Sequence, residues 1–116
     1  MPHLSVQEYI ERELESAAKY EYHDGQIYAL AGGTLNHGLL CGNVYSELRK
    51  KLERNGSSCL AMSSEIRLFI ESRNSYVYPD AMVICGDIEK SKEEVNSVMN
   101  PLLIVEVYSL HSGMGE

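Results

Sequence analysis

"YVYPDAMVI", Tyr76 to Ile84, and "PLLIVEVYS", Pro101 to Ser109, decide how this chain is read. Both are rich in aliphatic, β-branched and aromatic residues, so both predict strands. Each carries one acid where the pattern asks for an apolar side chain: Asp80 in the first run, Glu106 in the second. An ionised carboxylate inside an apolar strand is costly unless it is paired or bound to a cation. Pro79-Asp80 taken alone is also a common turn dipeptide, and Glu106 at a sheet edge would simply meet solvent. If neighbouring strands set the two acids side by side, their repulsion calls for a cation between them. Mg2+ suits hard carboxylate oxygens and usually keeps several waters. A strand-borne acid pair holding it can activate water and stabilise a phosphoryl transition state.

Working outward, Ser5 and Glu8 form an S-x-x-E capping box, which predicts a helix to about Ala18. "KYEYHDGQIYALAGG" predicts a hairpin turning at Asp24-Gly25. Thr34 or Asn36 can cap a second helix through about Arg54, with Leu40, Val44, Leu48 and Leu52 on one face. Arg49, Lys50, Lys51 and Arg54 crowd its last turns, where the helix dipole favours cations. "CLAMSSEIRLFIES" alternates as a strand, with at least one end of one face toward solvent. "DIEKSKEEVNSVMN" crosses over, with room for a short helix, before the 102–109 strand, whose apolar run suits cover on both faces. "LHSGMGE" carries no helix or strand signal. The expected fold is therefore α/β in content, a mixed α+β sheet with the second helix packed across it.

The chain has 116 residues, 44% hydrophobic and 23% charged, which suits one soluble domain. No apolar run approaches the roughly 20 residues that span a bilayer, and the N-terminus lacks a secretory pattern, so a cytoplasmic location and no membrane partner are expected. Cys41, Cys59 and Cys85 are odd in number and lack a C-x-x-C pair, which predicts free thiols. The net charge of −7 argues against a protein that merely coats DNA by neutralising phosphates. It leaves room for a metal-dependent nuclease, whose catalytic groups are acidic. Glu21, between two tyrosines of the hairpin, and His37, in the second helix's first turn, are candidates for the same neighbourhood as Asp80 and Glu106. Each also has a plainer reading, as a solvated hairpin face and as a cap or packing residue. No zinc-protease, nucleophile-elbow, P-loop or dinucleotide motif occurs.

"KYEYHDGQIYALAGGTLNHG", "SSEIRLFI", "YVYPDAMVICG" and "NPLLIVEVYS", in this order and spacing, resemble the Uma-type restriction endonucleases of the PD-(D/E)XK nuclease superfamily. The resemblance runs from about Val6 to Ser109. It implies a restriction-endonuclease-like core in one domain over residues 1–116, with Asp80 and Glu106 as catalytic Mg2+ ligands, Mn2+ being a substitute, and DNA as substrate. Glu21 and His37 match recurrent positions of the family and carry over as further catalytic candidates. Tyr108 stands two residues after Glu106, where the superfamily pattern places lysine. The resemblance further implies that the final core helix and strand are lacking, so that the chain reads as C-terminally shortened and weak or inactive in catalysis. The alternative is a non-catalytic interaction module that forms a homodimer through the uncovered sheet.

Overall fold

A computed structural model describes residues 3–108 of the chain. "LHSGMGE" and Ser109, the end of the strand expected over 102–109, lie outside the described residues. The fold is mixed α+β, with two α-helices, one 3-10 turn and eight short strands in two sheets among the described residues. It divides into two compact units, the first holding residues 3–31, 65–78 and 87–100, the second 32–64, 79–86 and 101–108.

In the first unit, α1 spans Val6–Glu15 behind the expected capping box. Ser5's hydroxyl accepts the Glu8 N–H while Glu8's carboxylate accepts the Ser5 N–H. Strands β1 (Tyr20–His23) and β2 (Gln26–Ala29) form the hairpin. Its turn needs positive φ at both central residues, 46° at Asp24 and 98° at Gly25, which is why that pair sits there. β4 (Arg67–Ile70), β5 (Ser75–Val77) and β7 (Ser97–Val98) complete a sheet in the order β2-β1-β5-β4-β7. Val6, Tyr9, Tyr22 and Tyr76 make its core. The tyrosine rings stack or meet edge-on, 5.2 Å apart for Tyr9 and Tyr22 and 6.1 Å for Tyr22 and Tyr76. Their hydroxyls reach partners: Tyr9 donates to the Tyr20 carbonyl, Tyr22 to the Leu4 carbonyl, and Tyr76 bonds Ser91. Burial, with the Glu13 charge beside it, pushes the Tyr9 phenol up to about 12.

The second unit is built on α2 (Leu35–Arg54), capped by the Thr34 hydroxyl, and a sheet of β3 (Leu60–Ser63), β6 (Ala81–Ile84) and β8 (Leu103–Val105) in the order β3-β6-β8. All its pairings are antiparallel. β6 is the central strand and all four of its residues are buried.

Several expectations are corrected. "CLAMSSEIRLFIES" is two strands, β3 and β4, in different sheets, and "YVYPDAMVI" likewise divides into β5 and β6. The second break falls at Pro79, which has no N–H to give a ladder. The crossing segment 87–100 forms a turn and β7 instead of a helix. It is held by Asn100, whose side chain accepts the Glu89 N–H and donates to the Asp87 carbonyl. Arg67, placed by alternation between apolar residues, is nearly enclosed between Glu13 and Glu94. On α2, Val44, Leu48 and Leu52 are half-buried as expected, but no residue of the helix is fully buried and Leu40 is exposed. The 102–109 run is not covered on both faces: β8 is an edge strand, and Leu102, Leu103 and Ile104 are 74%, 46% and 47% exposed. Only Cys41 is a free thiol; Cys59 and Cys85 form a disulfide. The β3–β6 register, Leu60 opposite Ile84, sets those two cysteines opposite each other one step further on.

Candidate active site

The site develops from the end of the β6–β8 ladder. Ala81 pairs with Val105, Met82 with Ile104 and Val83 with Leu103. One more step in this antiparallel register sets Asp80 opposite Glu106, on the same side of the sheet. Pairing stops there, so the two acids sit where backbone groups are freed from the ladder. The Asp80 side chain, 16% exposed, uses one such group: its Oδ2 accepts the Val107 N–H at 2.6 Å. That charge-assisted bond ties the carboxylate to the strand after Glu106.

α2 supplies the facing wall. Thr34 caps it so that His37 lies in the first turn, and one turn later, on the same face, comes Cys41. His37 Nε2 is 2.9 Å from the Val107 carbonyl oxygen and 3.5 Å from Asp80 Oδ2. Cys41 Sγ is 3.7 Å from both ring nitrogens. Partial burial pushes the Cys41 thiol up, and the negative charge and hydrogen bond of Asp80, with Glu106 further off, add to it. His37, Cys41, Tyr45, Ser63, Ser64 and Asp80 line a cavity of about 290 Å³. Gly38 and Gly42 face the same cavity, and neither would bring a Cβ within 4 Å of another residue.

Of the expected site residues, Asp80 and His37 come within 3.5 Å of each other in the second unit, and the register continued by one step puts Glu106 across the strand end from Asp80. Glu21 belongs to the first unit, where it lies opposite Tyr28 and its Oε1 is 2.9 Å from His23 Nε2. Cys41, expected only as a free thiol, joins Asp80 and His37. The signal for it was present, since H-x-x-x-C on a predicted helix places both side chains on one face. Ser63 and Ser64 could not have been found, because the break between β3 and β4 that carries them past the cavity has no Gly or Pro to mark it.

Two acids at facing positions offer hard oxygen donors of the kind Mg2+ takes, and the cavity beside Asp80 has room for an ion that keeps its water. The Val107 N–H holds Asp80 in place without using its second oxygen in that bond. The donor set therefore fits a divalent cation.

The Uma2 family, described as "Putative restriction endonuclease", matches residues 6–112. Two uncharacterised proteins of Synechocystis are similar, one 32% identical over 108 residues and the other 36% identical over 106. These alignments take in 93% and 91% of this chain but 55% and 59% of the relatives, so the chain spans little more than half their length. A crystal structure from Anabaena variabilis, described as a "putative nuclease belonging to DUF820", shares the fold, with a TM-score of 0.62 at 15% identity over 87% of this chain and 58% of that one.

Proposed function

The chain belongs to the Uma2 restriction-endonuclease family, and from that premise we propose that it is a cytoplasmic, Mg2+-dependent endodeoxyribonuclease. One observation supports the reading: the ladder ends at Ala81–Val105, one step short of Asp80 and Glu106, and His37 lies beside Asp80. Asp80 and Glu106 would hold Mg2+, or Mn2+ in its place. Bound there, the ion supplies charge neutralisation for a phosphodiester and a water of lowered pKa.

The chain's own groups have three tasks. The Val107 N–H fixes Asp80, so this ligand does not have to be ordered when DNA arrives. Asp80 and the Val107 carbonyl orient the His37 ring, which can pass a proton between the attacking water or the leaving oxygen and solvent. The cavity lined by Ser63 and Ser64 gives a phosphate room beside Asp80. Tyr108 follows where the superfamily pattern has lysine, so no ammonium at that position stabilises charge developing on phosphorus. Turnover is therefore expected to be slow. Glu21 is retained as a catalytic candidate from the family pattern, and Glu21→Gln tests it.

The experiment is nicking of supercoiled plasmid. Slow Mg2+-dependent nicking, stopped by chelator and by Asp80→Asn or Glu106→Gln, supports the reading. Nicking that both variants retain contradicts it. No helix among the described residues is long and apolar enough to cross a membrane. A Cys59–Cys85 disulfide is unusual in a reducing compartment. Its state in protein extracted under thiol-blocking conditions therefore tests the cytoplasmic location.

A second reading, a non-catalytic module that forms a homodimer, is favoured by the exposed Leu102, Leu103 and Ile104 on edge strand β8. Sedimentation over a range of concentrations separates the two, and a monomer at the highest concentration counts against the dimer.

A further inference from the structure

Mg2+ explains the two acids but not why a thiol and an imidazole share Asp80's cavity. We propose that His37, Cys41 and Asp80 form a site for a thiophilic, tetrahedrally coordinated divalent cation, with Zn2+ as the natural probe. One donor atom from each of the three residues can be chosen so that all lie within 4.8 Å of one another. Tetrahedral zinc, with Zn–S near 2.3 Å and Zn–N or Zn–O near 2.0–2.1 Å, requires ligand edges of about 3.5 Å for sulfur to nitrogen and about 3.3 Å for nitrogen to oxygen. The sulfur-to-nitrogen edge here, from Cys41 Sγ to His37 Nδ1, is 3.7 Å, and Asp80 Oδ2 lies 3.5 Å from the other ring nitrogen. The first is within a few tenths of an ångström of the tetrahedral sulfur-to-nitrogen edge.

Three further features favour the cation. His37 and Cys41 are one turn apart on α2, so the helix sets their spacing with no loop to order. The Val107 carbonyl accepts from Nε2, while Nδ1 lies the same 3.7 Å from the sulfur. The ring can therefore give the Nδ1 lone pair to the ion and keep donating to a backbone carbonyl, the usual second partner of a metal-bound histidine. The cavity leaves the fourth coordination position to water. On coordination the thiol gives its proton to solvent, and thiolate sulfur selects Zn2+ or Co2+ over Mg2+. Because Asp80 serves both ions, Zn2+ bound here displaces Mg2+. This last consequence alone rests on the nuclease reading, and it makes the site inhibitory.

Co2+ serves as the optical probe, added to the full chain without thiol reductant, Mg2+ or DNA. The expected result is a thiolate-to-cobalt charge-transfer absorption that saturates at one Co2+ per chain and is displaced by Zn2+. Cys41→Ser removes it, with the far-ultraviolet circular dichroism unchanged. His37→Gln weakens binding by more than about ten-fold, since loss of a ligand exceeds the effect of losing an outer partner. Glu106→Gln leaves the absorption intact. No such band at excess Co2+, or a band that survives Cys41→Ser, overturns the site. Zn2+ inhibition of plasmid nicking that Cys41→Ser relieves supports the shared use of Asp80. Absence of any nicking, with the cobalt band present, counts against the nuclease reading and leaves the cation site standing.

Discussion

Arg67→Met probes the most enclosed charges of the first unit. The guanidinium is 14% exposed, and it lies between Glu13 and Glu94, whose side chains are 7% and 9% exposed. Burial alone would weaken Arg67's hold on its proton, but the hydrogen bond and charge of Glu13, with the Tyr78 phenol beside them, more than offset this and hold it above the ordinary arginine value. Removing it strands two carboxylates. Glu94 keeps the Asn96 N–H at 2.9 Å, and Glu13 keeps the Tyr20 N–H at 2.7 Å and the Tyr78 hydroxyl at 2.8 Å. Breaking a buried pair typically costs about 3–5 kcal/mol. The surviving donors place this variant at the lower end, about 3 kcal/mol. For a chain of this size that is a fall in Tm of at least about 10 °C. Arg67→Lys loses the fork that reaches both acids at once and is expected to fall between. Glu94→Gln added to Arg67→Met should restore part of the loss by removing one of the stranded charges. Urea unfolding followed by circular dichroism measures all four proteins. A loss below about 1 kcal/mol for Arg67→Met, the level of an exposed pair, refutes the claim that this network is desolvated.

The other perturbations are simpler. Gly42→Ala places a methyl group where nothing lies within 4 Å, so it should raise stability by about 0.5–1 kcal/mol through helix propensity; because Gly42 lines the cavity, DNA cleavage should slow at the same time, and a lowered Tm contradicts the open geometry. Thiol titration of the unfolded, unreduced chain should find one thiol, Cys41, and reduction should cost about 3 kcal/mol for a bridge across 26 residues; three thiols before reduction contradict the Cys59–Cys85 pair. The Ser5 N–H, then its hydroxyl, hold the Glu8 carboxyl below the usual glutamate range. Glu8 thus favours the fold above its unfolded value of about 4.3, and that share is lost as pH falls through the depressed folded value. Glu8→Gln should flatten acid unfolding across that window, and an unchanged acid limb contradicts the capping box.

What was legible in the sequence was mostly local. The capping box at Ser5 and Glu8, the Asp24-Gly25 turn and the Thr34 cap are each fixed by residues within three or four positions of one another, and all three stand as expected. Asp80 and Glu106 could be singled out because a charge in an apolar run is conspicuous, though their facing register depends on strand pairing that no spacing reveals. The divided strands were hidden because alternation continues across Ser64-Glu65-Ile66, so periodicity alone sees one strand where two sheets share the run. Cys59 and Cys85 were hidden for the opposite reason: 26 residues apart in sequence, they meet only through the β3–β6 register. Arg67 misled because a long side chain at a polar position of the alternation found two buried acids rather than water.

In the proposed nuclease, catalysis depends on Asp80 and Glu106 gripping one hard cation together. Titration with Mn2+, read from the loss of the free aqueous ion's electron paramagnetic resonance signal, tests that directly, in the Cys41→Ser background so that the thiolate takes no part. One Mn2+ bound per chain, with affinity falling at least about ten-fold in Asp80→Ala and in Glu106→Ala alike, is the predicted result. Undiminished Mn2+ binding in either alanine variant would contradict it.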